Sequence, residues 1–370
     1  MTFRKLIGKL HLWLGLSSGL VVFIVALTGC IYAFQDEIKT LTRPYLFVEE
    51  QQEEKLPPSV LKEIAEKELP GKHVHAVMYN PAGHSVQVIF YSDVDDYYYF
   101  VYINPYTGHV LKVKDEFKDF FRVVLNGHYY LWLPDEIGHT VVASATLIFL
   151  VLVVSGIILW WPRNKNGRKQ RFSIKWTARW RRKNYDLHNV LGFYVSWMAI
   201  IFAITGLVWG FEWFSKAYYT TITGGEKWVE YAEPTSTSKV KVVDTMPAMD
   251  RVWYMLQYDV PVGGAIEVHT PETETSSIAV NINPDPGTYW KADYRYFDQY
   301  SLKELSVDHV WGRFEEATDG RKLMRMNYDI HVGAILRLPG KILAFFGSLI
   351  IASMPVTGFL IWWGRRNKKK

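Results

Sequence analysis

Five of the eleven histidines lie at the boundaries of long apolar stretches, where an imidazole could bind a metal within a membrane. These five are His11, His128, His139, His188 and His331. Imidazole is a ligand of haem iron, and helical bundles build cofactor sites from side chains on facing helices. A single histidine at a membrane boundary is more often an amphipathic anchor than a metal ligand. The spacing of the five histidines must therefore show which of them are ligands.

The chain repeats its histidine spacings in its two halves. His11 and His188 are each followed by a glycine after four residues and by a Thr-Gly pair after seventeen. His128 and His331 each precede a Leu-Pro pair, with the proline six and eight residues further along. Such internal similarity is typical of a tandem duplication, here with a unit of helix, connector and helix. We interpret the Thr-Gly pairs as packing devices, because small residues let helices approach closely in lipid.

Equivalence within the repeat predicts two pairs of haem-iron ligands at two depths. His11 and His188 form the inner pair, whereas His331 forms the outer pair with either His128 or His139. We favour His128, because it shares the position before Leu-Pro with His331. His139 stays the alternative, since eleven residues return to nearly the same helix face, although Pro134 between the two could start helix 2 afresh. About 24 helical residues span about 36 Å, so two haem b groups serve both membrane faces better than one. No residue is assigned a catalytic role.

Four stretches without Asp, Glu, Lys or Arg are long enough to hold these histidines in a membrane. They are residues 10–35, 140–162, 187–211 and 342–364. Each exceeds the roughly 20 residues that a helix needs to cross a bilayer, and within lipid the backbone must satisfy its own hydrogen bonds. The sequence therefore predicts a membrane all-α four-helix bundle with a tandem 2+2 repeat.

Positive charge is concentrated in three segments on one side of the predicted bundle. Residues 1–9, 163–186 and 365–370 carry 18 of the 42 Lys and Arg, but only one acid, Asp186. Because basic loops stay in the cytoplasm, we expect a multi-pass protein of the bacterial inner membrane with both termini cytoplasmic. Anionic lipid headgroups of the bilayer account for this basic charge, so no nucleic-acid partner is expected.

The first apolar stretch also resembles a lipoprotein signal, because Leu-Thr-Gly precedes Cys30. The repeat places Thr205-Gly206 at the same helical position without a cysteine. We therefore expect an uncleaved first span that retains His11. Cys30 is the only cysteine, so the chain forms no intrachain disulfide.

The two long connectors have the patterns of α+β domains. Residues 59–69 have helical spacing, and turn residues separate several apolar, β-branched or aromatic runs. The predicted strands are 73–80, 86–91, 97–104, 110–113, 265–269, 277–282 and 289–297. The predicted boundaries are 1–35 for helix 1, 36–135 for the first outer domain, 136–162 for helix 2, 163–186 for the basic loop, 187–214 for helix 3, 215–334 for the second outer domain, 335–364 for helix 4 and 365–370 for the tail.

Residues 104–110 and the four histidine-bearing helices resemble the PepSY-associated transmembrane family, which includes iron-regulated membrane proteins and ferric-siderophore reductases. Asp186-Leu-His188-Asn-Val-Leu-Gly192 is similar to its third helix, and Asp329-Ile-His331-Val-Gly333 to its fourth. The resemblance covers nearly the whole chain. It implies two extracytoplasmic PepSY-like domains and, as electron acceptor, a ferric siderophore.

The predicted function is therefore a haem-dependent transmembrane oxidoreductase that passes electrons from a cytoplasmic-side donor to an extracytoplasmic ferric chelate. The sequence has no Gly-rich dinucleotide fingerprint, P-loop or cysteine cluster, so a flavin or NAD(P)H reductase, or quinol, must supply the electrons. Two alternatives stay open. One is a haem-free PepSY scaffold that restrains an envelope peptidase. The other is a transporter, but the absence of charged residues from the four spans argues against it.

Further histidines and arginines in the connectors could also do chemistry. Six histidines could bind metal, although a surface role is favoured: His73, His75, His84, His109, His269 and His309. Four arginines near the outer face could attract an anionic substrate, although a solvated surface is the simpler interpretation: Arg122, Arg313, Arg321 and Arg325.

Overall fold

A computed structural model of the chain describes residues 2–162, 171–237 and 245–366. The chain divides into two compact units. The helical unit comprises residues 1–35, 123–218 and 327–370, and the sheet unit comprises residues 36–122 and 219–326. Residues 163–170 of the predicted basic loop and 367–370 of the predicted tail lie outside the described residues.

The described elements have the following bounds. The helices are α1 (Phe3–Tyr32), α2 (Gln35–Thr42), α3 (Pro58–Glu68), α4 (Phe120–Tyr130), α5 (Asp135–Trp160), α6 (Trp180–Gly210), α7 (Glu212–Ile222), α8 (Ala248–Leu256), α9 (Asp319–Arg325), α10 (Asn327–His331) and α11 (Arg337–Arg366). The strands are β1 (Val74–Tyr79), β2 (Val86–Ser92), β3 (Tyr97–Ile103), β4 (Val110–Asp115), β5 (Ala265–His269), β6 (Ser277–Asn283), β7 (Asp293–Asp298) and β8 (Glu304–Leu305).

Four helices of the helical unit are long and apolar enough to cross a membrane: α1, α5, α6 and α11. Each contains most of one uncharged stretch, so the four predicted apolar helices are confirmed. Neighbouring helices pack in the order α1, α5, α6, α11 and back to α1. The two helices that carry His11 and His188 are therefore diagonal to each other.

Apolar side chains fill the middle of this bundle, with Val22, Val195, Ala199 and Ile351 buried at its centre. Glycine also allows a close approach of α1 to α11. A Cβ at Gly19 would lie only 3.3 Å from the Cβ of Pro355. Small residues thus bring the spans together as expected for helices packed in lipid.

Two short helices, α4 and α10, carry His128 and His331, and each is joined to the following span by a sharp turn. Leu131 and Trp132 both have a φ of 56°, and Gly333 has a φ of 80°. A Cβ at Gly333 would lie 2.3 Å from the carbonyl oxygen of Gly340, so glycine is required at this approach. The turns bring both short helices to the ends of the spans.

The sheet unit is built on one antiparallel sheet of eight strands in the order β4-β3-β2-β1-β5-β6-β7-β8. β1 and β5 pair at its centre, where Ala76 lies opposite His269 and Tyr79 lies opposite Ile266. Each connector contributes four strands to this one sheet, which corrects the expectation of two separate outer domains. The physical reason is that unpaired β1 and β5 would expose rows of backbone hydrogen-bonding groups, which their pairing satisfies.

Helices α3 and α8 join the two halves of the sheet unit. Leu61 of α3 and Trp253 of α8 share one apolar core with strand residues such as Val77 and Val268. The backbone N–H of Ser59, in the first turn of α3, donates to the Asp250 carboxylate on α8 at 2.8 Å. The halves therefore share a single core as well as a single sheet.

Candidate cofactor-binding site

The helical unit contains a cavity of about 510 Å³ lined by His11 and His188. We call it the His11 cavity. Its volume lies within the range of roughly 300–1,000 Å³ that is usual for cofactor pockets. Much of its wall is apolar, and the stacked rings of Trp160 and Phe193, with centroids 3.7 Å apart, form a flat part of it. The predicted inner pair of histidines thus faces one shared space.

A second cavity of about 150 Å³, the His128 cavity, is lined by His128, His331 and His139. The ring centroids of His128 and His331 are 6.1 Å apart, and the ring planes are inclined by 71°. Trp209 packs edge-on against His331 with a centroid separation of 5.5 Å. The predicted outer pair is therefore brought together at one cavity.

Each of these four histidines makes a hydrogen bond between its Nδ1 atom and a hydroxyl group on another helix. The four pairs are His11 with Ser155 at 2.8 Å, His188 with Thr357 at 2.9 Å, His128 with Thr28 at 3.2 Å and His331 with Thr205 at 2.8 Å. The same pair of a histidine and a hydroxyl residue thus occurs four times, twice at each of the two cavities.

The direction of these bonds follows from the other contact of each hydroxyl group. The hydroxyls donate their protons within their own helices: Thr28 to Ile24 O, Ser155 to Leu152 O, Thr205 to Ile201 O and Thr357 to Ser353 O. Each hydroxyl oxygen therefore accepts a hydrogen bond from imidazole Nδ1–H. For His128, the Nδ1 atom also lies 2.9 Å from the backbone carbonyl oxygen of Val25. Because this oxygen can only accept, Nδ1 must carry the hydrogen. A neutral ring protonated on Nδ1 presents the lone pair of Nε2 to a metal.

A glycine follows each of the four hydroxyl residues and makes room for the imidazole. A Cβ at Gly29, Gly156, Gly206 or Gly358 would lie 3.1–3.5 Å from the Cε1 atom of the histidine concerned. The Ser/Thr-Gly pairs are thus more specific than the packing devices inferred from the sequence. The hydroxyl orients the ring, and the glycine leaves space for its edge.

The separation of His128 and His331 would suit a haem, whose iron the two imidazoles would hold from opposite sides. With metal–imidazole bonds of about 2.0 Å on each side, the centroids of two opposed ligand rings lie roughly 6 Å apart, which agrees with the separation between His128 and His331. Within the described residues, no group of three or more His, Cys, Asp or Glu is placed to bind a metal ion. A porphyrin supplies the other iron ligands itself, so two imidazoles suffice.

Only a thin apolar layer separates the two cavities. Val22, Phe149 and Ile351 line both of them. Ligands in the two cavities would therefore lie on opposite sides of the same few side chains, in the dry centre of the bundle.

His139 lines the His128 cavity but faces a different partner. Its Nε2 atom lies 3.1 Å from the carbonyl oxygen of Trp209. Because a carbonyl oxygen only accepts hydrogen bonds, Nε2–H is the donor. The argument that His128 and His139 share a helix face is wrong, because they lie on α4 and α5, on either side of the turn at Leu131 and Trp132.

The family of the chain follows from a comparison with known proteins. Residues 9–365 match the family described as "PepSY-associated TM region". The chain belongs to this family. The predicted resemblance is confirmed, and with four apolar helices the PepSY-associated chain is a membrane protein. No curated protein matches it.

Histidines in the sheet unit of this PepSY-associated protein form one pair. The rings of His75 on β1 and His269 on β5 have centroids 4.9 Å apart. Burial, and to a smaller extent the neighbouring His75, lower the pKa of His269 to about 4. His269 is thus neutral at physiological pH, and it is more enclosed than the expected surface histidine.

Three of the arginines proposed to attract an anion are engaged within the sheet unit. Arg313 pairs with Glu304 at 3.0 Å, and Arg321 pairs with Glu226 at 2.8 Å. Arg325 is only 2% exposed and donates to the carbonyl oxygens of Val310, Ala292 and Gly312. For Arg325 the expectation of a solvated surface is wrong, since its guanidinium joins two backbone segments, one at Ala292 and one at Val310 and Gly312.

Proposed function

We propose that the chain holds two b-type haems and carries electrons across the bacterial inner membrane to a ferric chelate. The observation that carries this proposal is the fourfold hydrogen bond from Nδ1 to a hydroxyl oxygen, which leaves Nε2 of His11, His188, His128 and His331 available as a ligand. Bound haem iron supplies one-electron chemistry by changing between its ferric and ferrous states.

In this proposal the residues of the chain hold, orient and insulate the redox centres. Ser155 and Thr357 fix the imidazoles of the His11 cavity, and Thr28 and Thr205 fix those of the His128 cavity. The layer of Val22, Phe149 and Ile351 excludes water between the cavities. Electrons pass through this layer from one cavity to the other.

The proposed orientation of the two cavities in the membrane rests on the charges of the sequence. The basic segments place the His11 cavity near the cytoplasm, where a flavin or NAD(P)H reductase, or quinol, delivers the electrons. The connectors that form the sheet unit then lie on the extracytoplasmic side. The family resemblance suggests a ferric siderophore as the acceptor.

The purified protein tests the proposal directly. We expect a pyridine haemochrome assay to give two b-type haems per chain. We expect the visible spectrum to be that of low-spin haem. Vesicles containing the protein and an enclosed reductant should reduce an external ferric hydroxamate, and protein-free vesicles should not. A colourless protein from haem-replete cells would exclude the proposal and favour the scaffold alternative.

Replacing Thr205 with valine tests the orienting role of the hydroxyl groups. The change keeps the shape of the side chain but removes the acceptor for His331 Nδ1–H. We expect haem in the His128 cavity to be retained about 10- to 100-fold less tightly, as is usual when a partner of a metal-binding histidine is lost. Haem retention and the low-spin electron paramagnetic resonance signal measure the effect.

Two control variants separate this role from packing. Thr205→Ser keeps the hydroxyl and should retain haem like the wild type. Thr146→Val removes a hydroxyl that lines the same cavity but bonds to Val142 O of its own helix, so it should also have no effect. Equal haem loss in Thr146→Val and Thr205→Val would exclude the orienting role.

A further inference from the structure

The His11 cavity differs from the His128 cavity in the charge of its lining. Arg171, Arg365 and Arg4 line the His11 cavity, and no Asp or Glu is among its described lining residues. The described lining of the His128 cavity includes neither Arg nor Lys. The three arginines lie at the end of the bundle where α1 begins and α5 and α11 end.

Hydrogen bonds hold the backbone of Arg171 and the side chain of Arg4. Trp160, which is 4% exposed at the end of α5, donates from its indole nitrogen to the carbonyl oxygen of Arg171 at 3.3 Å. Arg365, an exposed residue, lies in the last turn of α11, and its side chain lines the cavity together with Trp362. The guanidinium of Arg4 donates to the carbonyl oxygen of Leu159. One end of the cavity is therefore positive, and its walls are apolar and aromatic.

We propose that Arg171 and Arg365, with Arg4 beside them, form a carboxylate-binding site for the ligand of the His11 cavity. The shape and charge suit a flat apolar molecule that carries carboxylates on one edge, and guanidinium groups bind carboxylates in a bidentate manner. This inference rests on the proposed function, in which the carboxylates are the two propionates of the haem between His11 and His188. A haem held there would present its propionates to Arg171, Arg365 and Arg4, at the end of the bundle where α1 begins.

Glutamine variants of the full-length haem protein test this site. In Arg171→Gln/Arg365→Gln, we expect haem retention in the His11 cavity to fall by roughly tenfold per arginine, the loss usual for a hydrogen bond to a charged group. Haem in the His128 cavity should be unaffected, which also reports correct folding. Any haem that stays in the His11 cavity should have a lower midpoint potential, because positive charges near iron favour its ferrous form.

Matched controls use neighbouring arginines that do not line the cavity. Arg179→Gln/Arg181→Gln removes the same charge from two exposed positions near Arg171 that do not line the cavity and should leave both haems unchanged. Arg171→Lys/Arg365→Lys keeps the charge and should restore the midpoint potential in part.

Three results would overturn the inference. If the Arg171→Gln/Arg365→Gln variant retained two haems with wild-type affinity and midpoint potentials, the carboxylate-binding site would be overturned and the proposed function would stand. The same result with a raised KM for a reduced flavin nucleotide donor would assign the arginines to the phosphate of that donor instead. A colourless wild-type protein would overturn the proposed function together with this inference.

Discussion

The variant His188→Ala is expected to contain one haem per chain instead of two and to lose electron transfer across the membrane. His188 and His11 line one cavity, and Thr357 orients the His188 ring through its Nδ1 atom. Without His188, iron in that cavity keeps only one protein ligand, whereas the His128 cavity is unchanged. Haem content, the visible spectrum and reduction of an external ferric chelate by loaded vesicles measure the result.

The control for this change is the neighbouring residue in the same cavity. Asn189 lines the His11 cavity, and its side chain donates to the Tyr185 carbonyl of its own helix at 2.8 Å. Asn189→Ala should keep both haems and most of the transfer rate. If His188→Ala transferred electrons at the wild-type rate with one haem, a path running in series through both cavities would be refuted.

The variant His128→Ala is expected to lose the other haem, and His139→Ala is expected to keep it. Both histidines line the same cavity, but their rings have different roles. His128 approaches His331 with its Nδ1 atom engaged, whereas His139 donates from Nε2 to the Trp209 carbonyl. The pair of alanine variants therefore compares a ligand with a matched histidine of the same wall.

Haem content, with spectra that resolve the two centres, decides between the two histidines. His128→Ala should leave only the haem of the His11 cavity and abolish transfer, because the outer part of the path is missing. Loss of that haem in His139→Ala, with His128→Ala unaffected, would instead move the ligand to α5. Loss in both variants would indicate a cavity that collapses on any change, and Thr146→Val would then show the same loss.

Local patterns in the sequence were enough for the four spans, helix α3 and strands β1 to β7. The four spans follow from uncharged length, because lipid imposes a backbone that satisfies its own hydrogen bonds. Strands such as β2, predicted at 86–91 and found as Val86–Ser92, follow from apolar and aromatic runs between turn residues. Helix α8, at Ala248–Leu256, was missed, since nine residues give a weak periodic signal. The two-residue strand β8 was missed for the same reason.

The candidate ligands could be proposed from the sequence, but their partners could not. Repeated spacing singled out His11, His188 and His331, whose ligand roles stay predictions. Thr28 and Thr205 were noticed only as small residues beside glycine. Ser155 and Thr357 stood at the matching positions of the other two spans. The recurrence of a hydroxyl residue before all four glycines was the available signal.

The sequence by itself determined the four apolar helices and the family and named the candidate histidines, with His128 and His139 both open, because these depend on composition and on spacing along one segment. Only the tertiary structure decided which histidines face the same cavity and which hydroxyl each Nδ1 atom contacts. It also decided that β1 and β5 join two connectors into one sheet. These features bring together groups that are far apart in the chain. Such contacts depend on how the elements pack, and the sequence of one segment does not specify that packing.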